Sequence, residues 1–141
     1  MTPKLIGYIC QNGAYVFYEN GHALLRTLPH GFQALPVAHI SQVGIAEIVK
    51  AFRLGAKAVL MLGCETCRSA PSRTLLEQQH AALLRELEQW GITSERLVLA
   101  WCAAGEAENF FATVTATMTT VEHLPPLVLS RAVDTTIQHC G

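Results

Sequence analysis

The chain has 141 residues, of which half are hydrophobic and 15% charged, with a formal net charge of −1. That length can bury one sizeable core, and the balance excludes a disordered, solvating chain. The basic residues are scattered, which leaves no electrostatic footprint for nucleic acid, and no apolar run reaches the roughly 18 to 20 residues that span a bilayer.

The opening Met-Thr-Pro-Lys leads into a short apolar stretch without a small-residue cleavage site, so no secretory signal is expected and a cytoplasmic location is. Lys4 to Cys10 (KLIGYIC) reads as a first buried strand. The connection Gln11 to Leu28 is expected to be partly helical, interrupted at Asn20-Gly21. Leu35 to Ile40 (LPVAHI) reads as a second strand, with Pro36 near its start, where a strand tolerates proline. Ile45, Ile48, Val49 and Phe52 share one helical face, and Gly55 stands where a C′ glycine would end that helix. Lys57 to Leu62 (KAVLML) is the strongest strand and closes on Gly63-Cys64. Leu76, Leu83, Leu84, Leu87 and Trp90 form the next helical stripe, opened by a capping-box pattern at Thr74 and Glu77 and ended by Gly91. Arg96 to Cys102 (RLVLAWC) is a fourth strand. Phe110, Phe111, Val114, Met118 and Val121 form a last helical stripe, halted by Pro125-Pro126.

These strands are nearly continuous apolar runs, which suits a parallel sheet covered on both faces. Strand–helix alternation at this spacing predicts repeated βαβ units. The expected fold is α/β: an open parallel sheet of four to five strands with helices on both faces, in flavodoxin-like or Rossmann-like order. Residues 1–124 are expected to form a single domain. The tail, 125–141, is left open between an added strand, a helix and no regular structure.

Five cysteines, an odd number in a chain without an export signal, speak against a disulfide framework and for thiol or metal chemistry. Their places matter more than their number. Cys10 ends the first strand, His39 lies at the end of the second, Cys64 and Cys67 follow the third, and Cys102 ends the fourth. In a parallel sheet all these positions project toward the carboxyl edge, where open α/β sheets bind ligands. The sharpest local motif is Gly63-Cys64-Glu65-Thr66-Cys67. A C-x-x-C turn can bring two sulfurs to one metal or one iron of a cluster, or form a redox dithiol.

Each residue also has an ordinary explanation. Cysteine packs as a small hydrophobe, which competes at Cys10 and Cys102 more than at the paired Cys64 and Cys67. Cys140 reads as incidental. His39 alone is more often a hydrogen-bonded histidine than a ligand, and His22, His30, His80, His123 and His139 read as surface residues. Trp90 and Trp101 read as packing groups, and Tyr8, Tyr15, Phe17 and Tyr18 as core aromatics. No Ser/Thr/Gly-rich phosphate loop follows the first strand, which disfavours a flavin site.

The segments Val43 to Gly63 (VGIAEIVKAFRLGAKAVLMLG), Cys64, and Leu83 to Trp101 (LLRELEQWGITSERLVLAW), followed shortly by Ala103-Ala104-Gly105-Glu106, resemble the delta subunit of methyl-viologen-reducing hydrogenase. The resemblance spans most of residues 4 to 121. It implies an iron–sulfur subunit with a 2Fe–2S cluster that relays electrons between a hydrogenase or dehydrogenase and a flavin-containing heterodisulfide reductase partner. The family pattern has Cys-x-x-Cys in the first turn, Cys-x-Gly after the second strand and Gly-Cys-x-x-x-x-Cys after the third. Here Cys10 and Cys64 are kept, Gly13 replaces the second cysteine of the first turn, and His39 replaces the cysteine after the second strand. Cys67 comes two residues early, and Cys102 stands where the family has an apolar residue.

A conventional cluster needs four ligands. Cys10, Cys64, Cys67 and Cys102 could supply them, with His39 as a substitute for one. Zinc is the alternative metal. The leading expectation is an electron-transfer component of an oxidoreductase complex rather than a stand-alone enzyme, with a flavoprotein or a hydrogenase or dehydrogenase subunit as partner, and neither nucleic acid nor membrane. The alternatives are a thiol–disulfide protein using Cys64 and Cys67, and a cluster-free docking module of a redox complex.

Overall fold

A computed structural model of the chain describes residues 3–10, 28–64, 72–102 and 107–127. Four strands form one sheet: β1 (Leu5–Cys10), β2 (Phe32–Val37), β3 (Ala58–Gly63) and β4 (Leu97–Trp101). Three α-helices accompany them: α1 (Ile45–Arg53), α2 (Arg73–Glu88) and α3 (Ala107–Glu122). The strand order is β2-β1-β3-β4, and every pairing is parallel. The expected open parallel α/β sheet, covered on both faces, is therefore the fold.

Burial explains which strands were easiest to read. Every residue of the central strands β1 and β3 is buried, so both are unbroken apolar runs. The edge strands β2 and β4 are mostly half-exposed. β2 also corrects an expectation. It begins at Phe32 and ends at Val37, so Pro36 is inside it, opposite Ile9, rather than near its start. Proline fits there because β2 is an edge strand, which has a side that needs no ladder donor. His39 consequently lies beyond the strand, at the N-cap of a 3₁₀ turn, Ile40–Gln42.

The sheet divides two apolar layers. On one face Ile6, Tyr8, Cys10, Val59, Met61 and Leu97 pack with Ile48, Val49 and Phe52 of α1 and Leu76, Leu83 and Leu87 of α2. On the other, Leu5, Ile9, Leu60 and Leu62 pack with Phe110, Phe111, Val114, Met118 and Val121 of α3. Each of the larger fully buried side chains contributes about 1.5–3 kcal/mol, and the Phe110 and Phe111 rings meet edge-on at 5.2 Å. The burial outweighs the poor helix propensity of α3, which is rich in threonine. Thr117, Thr119 and Thr120 donate their hydroxyl protons to the carbonyls of Thr113, Thr115 and Ala116 one turn back, which keeps these groups bonded within the helix.

The helix ends follow local chemistry. Glu47 accepts the Gly44 N–H at the start of α1, the one half of a capping box that a glycine N-cap allows. α2 is capped by Ser72, whose hydroxyl accepts from Leu75 N–H at 3.3 Å, so the capping box expected at Thr74 and Glu77 lies inside the helix instead. Gly55 and Gly91, at φ of 106° and 78°, close α1 and α2 as expected. The Ala56 and Ile92 N–H groups return to the carbonyls of Ala51 and Leu87, the six-to-one bond of a Schellman ending. α3 stops at Glu122, ahead of Pro125.

After α3 the chain is held beneath the amino edge of the sheet. Arg96, only 5% exposed, donates to the carbonyls of Lys57 at 2.9 Å and Pro125 at 2.6 Å. Lys57 Nζ donates to the Leu124 carbonyl. Burial pushes the Arg96 guanidinium below its ordinary pKa and neighbouring Glu95 pushes it back up. Leu127 packs against the α1/α2 layer, so the chain has crossed from the α3 side of the sheet to the other. The expectations for the connection 11–27 and for the tail beyond Leu127 lie outside the described residues.

Candidate functional site

The order β2-β1-β3-β4 has a reversal between β1 and β3. From β1 the chain goes to a neighbour on one side, and from β3 to a neighbour on the other. At such a switch point the connections leave the strand ends in opposite directions and open a crevice at the carboxyl edge. Cys10 is the last residue of β1, and Cys64 directly follows β3. The two cysteines therefore flank the reversal. Both are buried, at 2% and 5% exposure, and both belong to the apolar cluster on the α1/α2 face.

The register describes their surroundings. Cys10 is opposite Val37, and Gly63 opposite Trp101. Ile9 pairs with Leu62, so Cys10 and Gly63 are the next step of the same ladder. The last row of the sheet on the α1/α2 face therefore runs Val37, Cys10, Gly63, Trp101. Gly63 leaves a gap in that row, and the Trp101 ring fills it. A Cβ built on Gly63 would lie 2.6 Å from Trp101 Cζ3, 2.8 Å from its Cε3, and 2.9 Å from Ile40 Cδ1. On the ring, the Arg73 guanidinium carbon stands 4.8 Å from its centroid, within cation–π range. Arg73 also approaches Glu77 at 3.7 Å.

Cys102 occupies the same edge but the other side. It is 1% exposed and belongs to the α3 cluster, and its N–H donates to the Gly63 carbonyl at 2.9 Å. His39 is half-buried, and its Nδ1 is hydrogen-bonded to the Ser41 hydroxyl. Its loop is braced by Gln79 of α2, whose amide donates to the carbonyls of Ser41 at 3.0 Å and Val43 at 3.1 Å. Cys67 and Cys140 lie outside the described residues. The cysteines of β1, β3 and β4 thus reach one edge as expected, but only Cys10 and Cys64 share a side of the sheet. Among the described residues no three His, Cys, Asp or Glu groups come together to hold a metal.

Other polar groups serve the scaffold. Tyr8 donates to the Glu47 carbonyl at 2.9 Å, and burial, then the Glu47 charge, raises its pKa. Asn109 donates to the Trp101 carbonyl at 3.1 Å and so ties α3 to the end of β4. His80 is not a surface residue as expected: it is half-buried, with Nε2 donating to the Leu97 carbonyl at 2.9 Å. A groove of about 520 Å³, lined in part by Leu84, Glu88, Ile92 and Glu95, opens at the opposite end of the molecule, where α2 leads into β4. It shares no residue with the thiol pair.

Residues 5–125 match the family described as methyl-viologen-reducing hydrogenase, delta subunit. The chain belongs to that family. It is also similar to the iron-sulfur subunit of the F420-non-reducing hydrogenase vhc of Methanococcus voltae, at 26% identity over 110 residues, covering 77% of this chain and 76% of that protein. Membership in this delta-subunit family agrees with the resemblance carried by Val43 to Gly63 and Leu83 to Trp101. None of the helices among the described residues is long and apolar enough to cross a membrane.

Sequence reasoning places Cys10 and Cys64 at the carboxyl edge but gives Trp101 only a packing role. The available signal was Gly63 itself, a glycine ending an otherwise bulky strand, which marks close approach by another group.

Proposed function

We propose that the chain is an electron-transfer subunit of a hydrogenase-type complex, carrying an iron–sulfur cluster at the carboxyl edge of its sheet. The observation that carries this reading is the pair Cys10 and Cys64, two buried thiols flanking the β1/β3 reversal on one side of the sheet. Thiolates are soft ligands, and a thiol pair of this kind suits iron in a cluster or, as the alternative, zinc. The name of the Methanococcus voltae relative, an iron-sulfur subunit, favours iron.

Cys10 and Cys64 would hold the group from β1 and β3. Cys67, three positions beyond Cys64, would add a third thiolate. Either Cys102, from the α3 side of the edge, or His39, through Nε2, would complete a four-ligand set for a 2Fe–2S cluster. When bound, the cluster supplies one-electron exchange. The chain's own part is to bury the ligands, exclude water and set the potential through ligand type and the hydrogen bonds to sulfur. A histidine ligand would make that potential sensitive to pH. The expected partners are a hydrogenase or dehydrogenase subunit on one side and a flavin-containing, heterodisulfide-reductase-like protein on the other, met in the cytoplasm.

Anaerobic purification tests the reading. Visible charge-transfer bands, with iron and acid-labile sulfide in equal amounts, are expected in the native chain. Cys64→Ser should lose them, while Cys140→Ser should keep them. Full iron content in Cys64→Ser would remove Cys64 from the ligand set. A native sample with no metal after attempted reconstitution would refute the cluster.

A further inference from the structure

Gly63, next to Cys64 in the chain and beside Cys10 in the sheet, carries an aromatic ring. Cys10 and Cys64 are almost inaccessible within the α1/α2 cluster, although they stand at the carboxyl end of the sheet. On the α1/α2 face the place beside Cys10 in the last row belongs to Gly63, and the Trp101 indole and Ile40 occupy the space above that glycine. Ile40 is fully buried, so it is wedged in the core. Trp101 is half-buried, and the guanidinium of Arg73, whose side chain is more than half exposed, stacks on its ring. The order from the backbone outward is Gly63, indole, guanidinium.

A flat ring laid on a glycine is removable in a way that a wedged aliphatic side chain is not. It can leave by rotating its own side-chain torsions, without disturbing the strands. We propose that Trp101, seated on Gly63 and held from outside by Arg73, is the shutter that controls access to the Cys10–Cys64 pair. The glycine is part of the device, because any side chain at position 63 would lift the ring. The inference deepens the functional reading, since it rests on Cys10 and Cys64 being the site. It concerns access to the thiols and not the identity of what they hold.

The test is alkylation of the full-length, reduced, metal-free chain by iodoacetamide under native conditions, with each cysteine quantified by mass spectrometry. Folding of each variant is checked by circular dichroism. Trp101→Ala is expected to speed modification of Cys10 and Cys64 about tenfold or more, the change that accompanies loss of roughly 1.4 kcal/mol of local closing free energy. Trp101→Phe, which keeps a flat ring, should restore most of the protection. Trp90→Ala controls for general loosening, because Trp90 is also half-buried against the same core cluster. It should leave both rates near the parent value. Rates in Trp101→Ala no higher than in Trp90→Ala would overturn the proposal. Because no metal is present, that failure is separable from failure of the cluster reading, which is decided by iron and sulfide content.

Discussion

Replacing Gly63 by alanine tests the packing at the thiol edge directly. The added methyl would lie at 2.6 and 2.8 Å from two carbons of Trp101 and 2.9 Å from Ile40. Carbon atoms prefer about 3.5–4.0 Å, so the indole or the Ile40 side chain must move by much of an ångström. Ile40 is 0% exposed and has nowhere to go. The ring can retreat, but only by giving up its seat on β3 and its stacking with Arg73. Gly63 is not among the glycines at positive φ, so the cost is steric and should fall in the overpacking range, about 1–3 kcal/mol. Trp101→Ala alone should cost about 1.5–3 kcal/mol of lost burial. In the double variant the methyl introduced on β3 enters space the indole has left, so the two costs should not add. A favourable coupling of about 1–2 kcal/mol is expected. Urea unfolding followed by far-ultraviolet circular dichroism measures all four proteins without needing the tryptophan signal. With a slope of about 1–3 kcal/mol per molar, Gly63→Ala should lower the midpoint by roughly 1 M. A Gly63→Ala midpoint equal to the parent's, or strict additivity in the double variant, would refute the proposed seat of the ring.

Two further predictions address the scaffold. Arg96→Met should cost about 2–4 kcal/mol in the same urea assay, because it strips two charge-assisted hydrogen bonds from the carbonyls of Lys57 and Pro125. Arg96→Lys should recover only part of that loss, since a single ammonium lacks the planar fork that spans both carbonyls; full recovery would count against the two-carbonyl staple. Tyr8, whose pKa is raised above its ordinary 10.0 by burial and by Glu47, adds a pH dependence. Its neutral form is favoured in the fold, so its contribution is fully present below pH 10 and is lost as pH rises through the raised value. Unfolding free energy should therefore fall above about pH 10, and fall less steeply in Tyr8→Phe; parallel pH profiles for the two would remove Tyr8 from the account.

The strand content of this chain could be read from the sequence because β1 and β3 are buried on both faces. Burial of that kind demands uninterrupted apolar residues, and LIGYIC and AVLMLG supply them. The helical stripes were equally plain, since a helix on one face of a sheet must repeat its apolar positions every three or four residues. Gly55 and Gly91 marked the helix ends for a reason confined to a single residue, the freedom to take positive φ. The edge strand β2 was less legible. Its half-exposed pattern carries weak periodicity, and Pro36, which suggested a beginning, is tolerated inside only because β2 has a neighbour on one side alone. The N-cap of α2 differs from the expected one because Ser72 and Thr74 are both credible caps, and local sequence does not choose between them.

At the candidate site the sequence by itself determined that cysteines stand at the ends of three strands, and parallel pairing then requires that they share an edge. Which of them share a side was a tertiary matter. Side chains alternate along a strand, which puts Cys10 with α1 and α2 and Cys102, one residue past Trp101, with α3. Cys64, one residue past Gly63, would by alternation join Cys102, and it joins Cys10 instead because β3 has ended at Gly63 and the alternation no longer holds. The stack on Gly63, beside that pair, was likewise invisible in one dimension. Trp101, Gly63, Ile40 and Arg73 come from four separate elements, and only the register of β3 with β4 lays the indole in the space the glycine leaves.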